Sequence, residues 1–133
     1  MIIYRKLEPE EYERIIPMVI DFCDETNADD QAITAIMIRM GEGRTEVFTA
    51  ENGKLCGMLG YCTSGEVAIP EFFYVLPEKR KGIIGGRLYQ IVTKYVKGQG
   101  IKKWVPMVTA DKEPIYTKLG FKRSKFILLE KEI

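Results

Sequence analysis

The chain has 133 residues, 46% hydrophobic and 29% charged, with 20 basic and 19 acidic side chains. That length expects a single domain over 1–133, and the composition excludes disorder, collagen and a disulfide scaffold. A formal net charge of +1 gives no overall pull toward nucleic acid or membrane.

Apolar runs fall far short of the roughly 18 residues a membrane span needs. Arg5 and Lys6 bring charge too early for a signal peptide. Residues 2–7 form a short apolar-rich strand. Pro9 then opens a helix at a first-turn position, with Glu10, Glu11 and Glu13 where the helix dipole favours acid. Tyr12, Ile15, Ile16, Val19, Phe22 and Cys23 recur at helical spacing, and Pro17 should kink or split that helix. Asp29 or Asp30 caps a second helix on Ile33, Ile36, Met37 and Met40, which Gly41 ends.

The period then changes to that of strands. Segments 46–51 and 54–63 flank Asn52-Gly53, a hairpin turn in which both residues must accept positive φ. Ser64-Gly65 turns the chain into a strand over 66–76, where Pro70 removes a ladder donor and predicts a bulge or an edge. Ile84, Leu88, Ile91, Val92, Tyr95 and Val96 make a third helix, closed by Gly98 and Gly100. A strand over 102–109 carries the only Trp, a short helix over 112–119 stops at Gly120, and 126–133 is a final strand. The order is β-α-α-β-β-β-α-β-α-β.

Three cysteines cannot all pair within one chain. Cys56 and Cys62 fall on one predicted strand, facing one side about 20 Å apart, beyond the reach of a disulfide. Buried, reduced thiols of a cytoplasmic protein are the expectation. There is no histidine. That excludes Ser-His-Asp and Cys-His catalysis and His-containing zinc sites. No metal is expected, and chemistry must run on carboxylates, tyrosine, lysine, backbone dipoles or a borrowed cofactor.

The most informative segment runs from Phe72 through the basic, glycine-rich turn Lys79-Arg80-Lys81-Gly82-Ile83-Ile84-Gly85-Gly86 into a helix. The first N–H groups of a helix lack intrahelical partners and carry partial positive charge, so the turn is an anion cradle. Phosphate or pyrophosphate is its natural ligand. Lys-Ser/Thr is missing, so it is not a P-loop, and it lacks the G-x-G-x-x-G dinucleotide pattern.

In this order of elements the segment resembles the acetyl-CoA motif of the GNAT superfamily of N-acetyltransferases, (Arg/Gln)-x-x-Gly-x-(Gly/Ala). Arg80 and Gly85 have the family's spacing, while Ile83 stands where the first motif glycine belongs and Gly82 is one place early. Ile115-Tyr116-Thr117-Lys118-Leu119-Gly120-Phe121 resembles the family's Tyr-x-x-x-Gly-Phe signature. The resemblance covers the chain and implies an α/β (α+β) GNAT-like fold. Its mixed, twisted sheet would have about six to seven strands with about four helices, the fourth and fifth strands splaying apart. It implies that the pantetheine of acetyl-CoA pairs with the backbone of Tyr74 and Val75. Pyrophosphate would rest on amides of Lys81, Gly82, Ile83, Ile84, Gly85 and Gly86, with Arg80 as its side-chain partner. Thr109 stands where relatives often have Asn.

The family reaction is direct attack of an amine on the thioester. Tyr116 matches the family's general acid, since a phenol of pKa about 10 can protonate a departing thiolate of pKa about 8.5. Glu71 lies near where some relatives carry a catalytic carboxylate, with Glu66 as the alternative base. By alternation Glu71 shares a face with Phe73 and Val75, unless a bulge at Pro70 changes its side. Competing readings are a CoA-binding module without turnover and a small interaction domain. Dimers are common among proteins the chain resembles.

Charge is divided unevenly. Residues 1–66 hold 13 acidic and 6 basic side chains, whereas residues 67–133 hold 6 acidic and 14 basic. The basic half carries the anion cradle. Asp21, Asp24, Glu25, Asp29 and Asp30 lie where the resemblance implies a wall of the acceptor cleft. That placement expects a cationic amine acceptor: a polyamine, an amino sugar or a lysine side chain.

Overall fold

The computed structural model describes residues 1–125 and 129–133. After β1 (Ile3–Lys6), the first helical stretch divides where Pro17 sits. A 3-10 helix over Pro9–Ile15 passes into α1 (Ile16–Glu25), with Pro17 in its first turn, where the missing N–H costs nothing. Asp29 caps α2 (Asp30–Gly41) by accepting the Ala32 N–H at 2.9 Å. Strands β2 (Glu46–Glu51), β3 (Leu55–Ser64) and β4 (Val67–Val75) follow. Helix α3 (Ile84–Gly98), β5 (Lys103–Trp104) and α4 (Glu113–Lys118) complete the described elements.

The sheet has five strands in sequence order among the described residues, fewer than the family resemblance implies. The first four pair antiparallel and β5 joins β4 in parallel. The predicted strand over 102–109 shrinks to two residues, and its last backbone bond to β4 is the Val105 N–H to Ala68 O. Of the predicted strand over 126–133, residues 126–128 lie outside the described residues, and 129–133 are exposed and unpaired in the sheet. At the hairpin only Gly53 takes positive φ, at +70°, while Asn52 does not. The turn there is a three-residue loop, not the two-residue one expected.

Each face of the sheet carries a core. Leu7, Ile15, Val19, Cys23, Ile36 and Met40 pack on Val47, Met58, Phe72 and Tyr74 from the side of α1 and α2. Leu88, Val92 and Val96 of α3 pack on Phe48, Leu59, Tyr61 and Ala68 from the other. Burial of these two stripes is the main force holding the sheet between its helices.

Two bulges break the alternation of β3 and β4. Gly60 pairs with Phe72 and Tyr61 with Pro70, so Glu71 is the extra residue. The bulge sits where Pro70 predicts one. On β3, Cys56 is the unpaired residue between Leu55 and Gly57. It packs with Val75 and Ile84 on the α3 side, whereas Cys62 lies against Glu71 on the α2 side. The two thiols therefore face opposite sides, contrary to the alternation, and all three cysteines are free.

The Phe72 ring, 1% exposed, lies directly over Gly60. A Cβ at Gly60 would fall 2.2 Å from the ring. Gly60→Ala is therefore expected to cost about 1–3 kcal/mol, measured by urea denaturation, through overpacking. A chain of unchanged stability would show that the ring moves freely.

Arg5 grips Glu11 at 2.7 and 3.0 Å and Glu51 at 3.1 Å, tying β1 and β2 to the 3-10 helix. The Arg5 guanidinium pulls the Glu11 carboxyl down to about 2 from 4.5. The folded value lies below the free one, so this contribution is complete above pH 4.5 and disappears as pH falls through about 2. Glu11→Gln should flatten the fall in stability across that acid window. A pH profile identical to that of the parent chain would contradict this assignment.

Candidate active site

Strands β4 and β5 hold together only at Val67 with Lys103 and Ala68 with Trp104, followed by the Val105 N–H to Ala68 O at 2.9 Å. Beyond that point they diverge, as expected of the fourth and fifth strands. Along residues 69–75, the edge of β4 away from β3 has no ladder partner among the described residues. An extended chain bearing amides can add there as a strand would.

On the α3 side the divergence opens an apolar cavity of about 220 Å³. Pro70 and Phe73 form one wall, Trp104 and Pro106 the other, and Tyr89, Ile115, Tyr116 and Leu119 close it. A run of ring contacts places Tyr116 there: Trp104 to Tyr89 at 6.3 Å, Tyr89 to Phe121 at 6.4 Å, and Phe121 to Tyr116 at 5.4 Å. The Tyr-x-x-x-Gly-Phe pattern has a local cause. Gly120 turns at φ +94°, a conformation suited to glycine, and Phe121 folds back to donate its N–H to Tyr116 O at 3.1 Å. Trp104 is itself fixed by donating Nε1–H to Thr93 Oγ1 at 3.0 Å. Burial pushes the Tyr116 hydroxyl above its ordinary value, so it is a protonated donor at neutral pH.

At the start of α3, the first intrahelical bond runs from Arg87 N–H to Ile83 O at 2.9 Å. The amides of Ile84, Gly85 and Gly86 precede it and point out of the helix end. Gly85 meets β4, with its Cβ position 3.6 Å from Val75 and 3.9 Å from the Phe73 ring. Gly82 and Gly86 are exposed, and so is Lys81. Ile83, the residue that departs from the motif, is 76% exposed and packs on neither core. Thr109 opens the 3-10 turn before α4, its carbonyl accepting the Lys112 N–H at 3.0 Å and its side chain bonding Asp111.

Arg80 holds three partners. Its Nε donates to Val75 O at 2.8 Å, its Nη2 donates to Glu25 at 2.6 Å, and its guanidinium lies 5.0 Å from the centre of the Tyr74 ring. Glu25 ends α1, so this contact crosses from the glycine loop to the acidic helices. Sequence reading missed it. The only sequence signal is opposite charge at two positions 55 residues apart.

Glu71 is placed on the α2 side, away from Phe73, because the bulge gives it and Phe72 the same face. Its side chain is 5% exposed, with one oxygen 2.5 Å from Arg39 Nε and the other accepting from Thr45 Oγ1 at 2.7 Å. The Cys62 thiol also approaches it and is pushed up, chiefly by burial. Glu66, the alternative carboxylate, pairs with Lys102 at 3.2 Å, at the opposite end of β4 from Val75. The described residues hold no cluster that could bind a metal, and no helix among them is long and apolar enough to cross a membrane.

Comparison with known proteins agrees with this architecture. The chain is similar to a predicted acetyltransferase from Clostridium acetobutylicum, solved with acetyl-CoA, at 14% identity and a TM-score of 0.79 over 98% of this chain and 96% of that one. It is also similar to a GCN5-related N-acetyltransferase from Ralstonia eutropha JMP134, at 18% identity and 0.78 over 100% and 99% of the two chains. Glucosamine-6-phosphate N-acetyltransferase from Arabidopsis thaliana shares 16% identity at 0.67, over 98% of each chain. At these identities the likeness is one of fold. No curated protein sequence matches. The profile of the acetyltransferase (GNAT) domain, however, matches residues 43–123, from before β2 to beyond α4. The chain belongs to the GNAT acetyltransferase domain family.

Proposed function

We propose that the protein transfers the acetyl group of acetyl-CoA to a primary amine by direct attack. The observation that carries this reading is the convergence of three features at one place. They are the open edge of β4, the unpartnered amides at the start of α3, and the apolar cavity bordered by Tyr116. Each fits one part of the co-substrate. The outward-facing backbone of Val75 suits the amides of pantetheine, whereas that of Tyr74 is turned to Met58 of β3. The amides of Ile84, Gly85 and Gly86 suit pyrophosphate, whereas the Gly82 N–H is given to Lys79 O. The cavity suits the apolar stretches of the arm.

Acetyl-CoA supplies an activated carbonyl carbon to a neutral amine. The backbone N–H groups of β4 near Val75 polarise that carbonyl. Tyr116, kept protonated by burial, gives its proton to the thiolate. Glu71 accepts the amine's proton through water. A carboxylate has about four acceptor sites, of which Arg39, Thr45 and the Cys62 thiol engage three. The acidic helices α1 and α2 favour a cationic acceptor.

Thermal shift with acetyl-CoA, CoA and ATP tests the reading. Stabilisation by both CoA species and not by ATP is expected. No shift with any of them would remove it, and a shift without amine-dependent thiol release would leave a binding module.

A further inference from the structure

The Arg80 guanidinium sits in a built cation site, formed by a carboxylate from Glu25, the face of Tyr74 and the carbonyl of Val75. Tyr74 is 7% exposed, so its ring is a fixed wall. Aromatic face plus carboxylate is the chemistry that receives an organic ammonium. Arg80 is thus an internal cation in a place that an external one would suit.

The same side chain blocks the co-substrate twice. Its charge is held by Glu25 and withheld from pyrophosphate, and its Nε occupies the Val75 carbonyl that a pantetheine amide would use. Both demands are met together if Arg80 swings to the cradle. Glu25 is then left beside Tyr74 on the wall that also carries Asp21 and Asp24.

The geometry points to Glu25 and Tyr74 as the cation-recognition site of the acceptor, held by Arg80 until the co-substrate takes that arginine away. The inference rests on the acetyl-CoA reading above and adds two consequences. Binding of CoA and of a cationic acceptor is positively coupled, since each removes one partner of the Arg80–Glu25 pair, and the coupling is reciprocal. The acceptor also needs a second basic group. An ammonium held charged by Glu25 cannot attack, because attack requires a neutral amine. Acceptors are therefore diamines, polyamines or multiply aminated sugars.

The test uses CoA, which allows no turnover, and 1,4-diaminobutane as the probe cation at constant ionic strength. Trp104, the only tryptophan, lines the cavity and reports binding by fluorescence. In the parent chain, saturating diamine should tighten CoA binding about five-fold. Glu25→Gln should bind CoA about as much tighter without diamine and respond to none. With acetyl-CoA, the preference for 1,4-diaminobutane over n-butylamine in kcat/KM should collapse in Glu25→Gln. Unchanged CoA affinity in that variant, a diamine without effect on the parent, or a retained preference each overturns the inference while acetyl-CoA binding stands. Absence of CoA binding in both chains overturns the functional reading, and the inference with it.

Discussion

Arg80→Glu is expected to weaken acetyl-CoA binding about 100-fold or more, since a carboxylate facing pyrophosphate costs several kcal/mol. The new charge also opposes Glu25, so neither position of this side chain is favourable. Stability should change little, because both partners of the lost pair are more than a third exposed. Calorimetric titration and thermal melting measure the two separately. Retained affinity in a normally folded variant would mean that the helix end binds pyrophosphate without this arginine.

Tyr116→Phe is expected to lower kcat ten-fold or more, the range of one general acid, with acetyl-CoA affinity nearly kept. The ring contact with Phe121 needs no hydroxyl, so α4 stays in place. A fall in affinity with kcat intact would instead make the hydroxyl a binding group. An unchanged rate in a variant of normal stability would mean that the thiolate leaves with help from water.

What could be read from the sequence was what local chemistry decides. The glycine turn opening a helix, the Asp29 cap, the break at Pro17 and the bulge at Pro70 all follow from residues within a few positions of one another. Failures came where one inserted residue reverses a parity. The bulge carries Glu71 to the α2 side, and the bulge at Cys56 separates two thiols that simple alternation puts together. The fifth strand is shorter than its apolar pattern implies, because beyond Val105 the chain leaves β4 and no local residue pattern marks that divergence. The Arg80–Glu25 contact belongs to another kind. Nothing local to either residue indicates it, because it depends on the end of α1 reaching the turn before α3.

The acidic residues also divide by role once their surroundings are known. Asp29 is engaged as a helix cap and Glu25 by Arg80, so the acidic wall is less free than its composition implies. Asp21 and Asp24 are exposed on α1 and keep the potential on that side negative.

The central claim is acetyl transfer to an amine, and the direct measurement is thiol release on mixing the protein with acetyl-CoA and a panel of amines. The panel should contain 1,4-diaminobutane, spermidine, glucosamine, a lysine peptide and n-butylamine, with products identified by mass spectrometry. Amine-dependent release and N-acetylated product are expected, fastest for acceptors with two basic groups and slowed as ionic strength rises. Thiol release that is independent of every amine, or no release while acetyl-CoA binds, would contradict that claim.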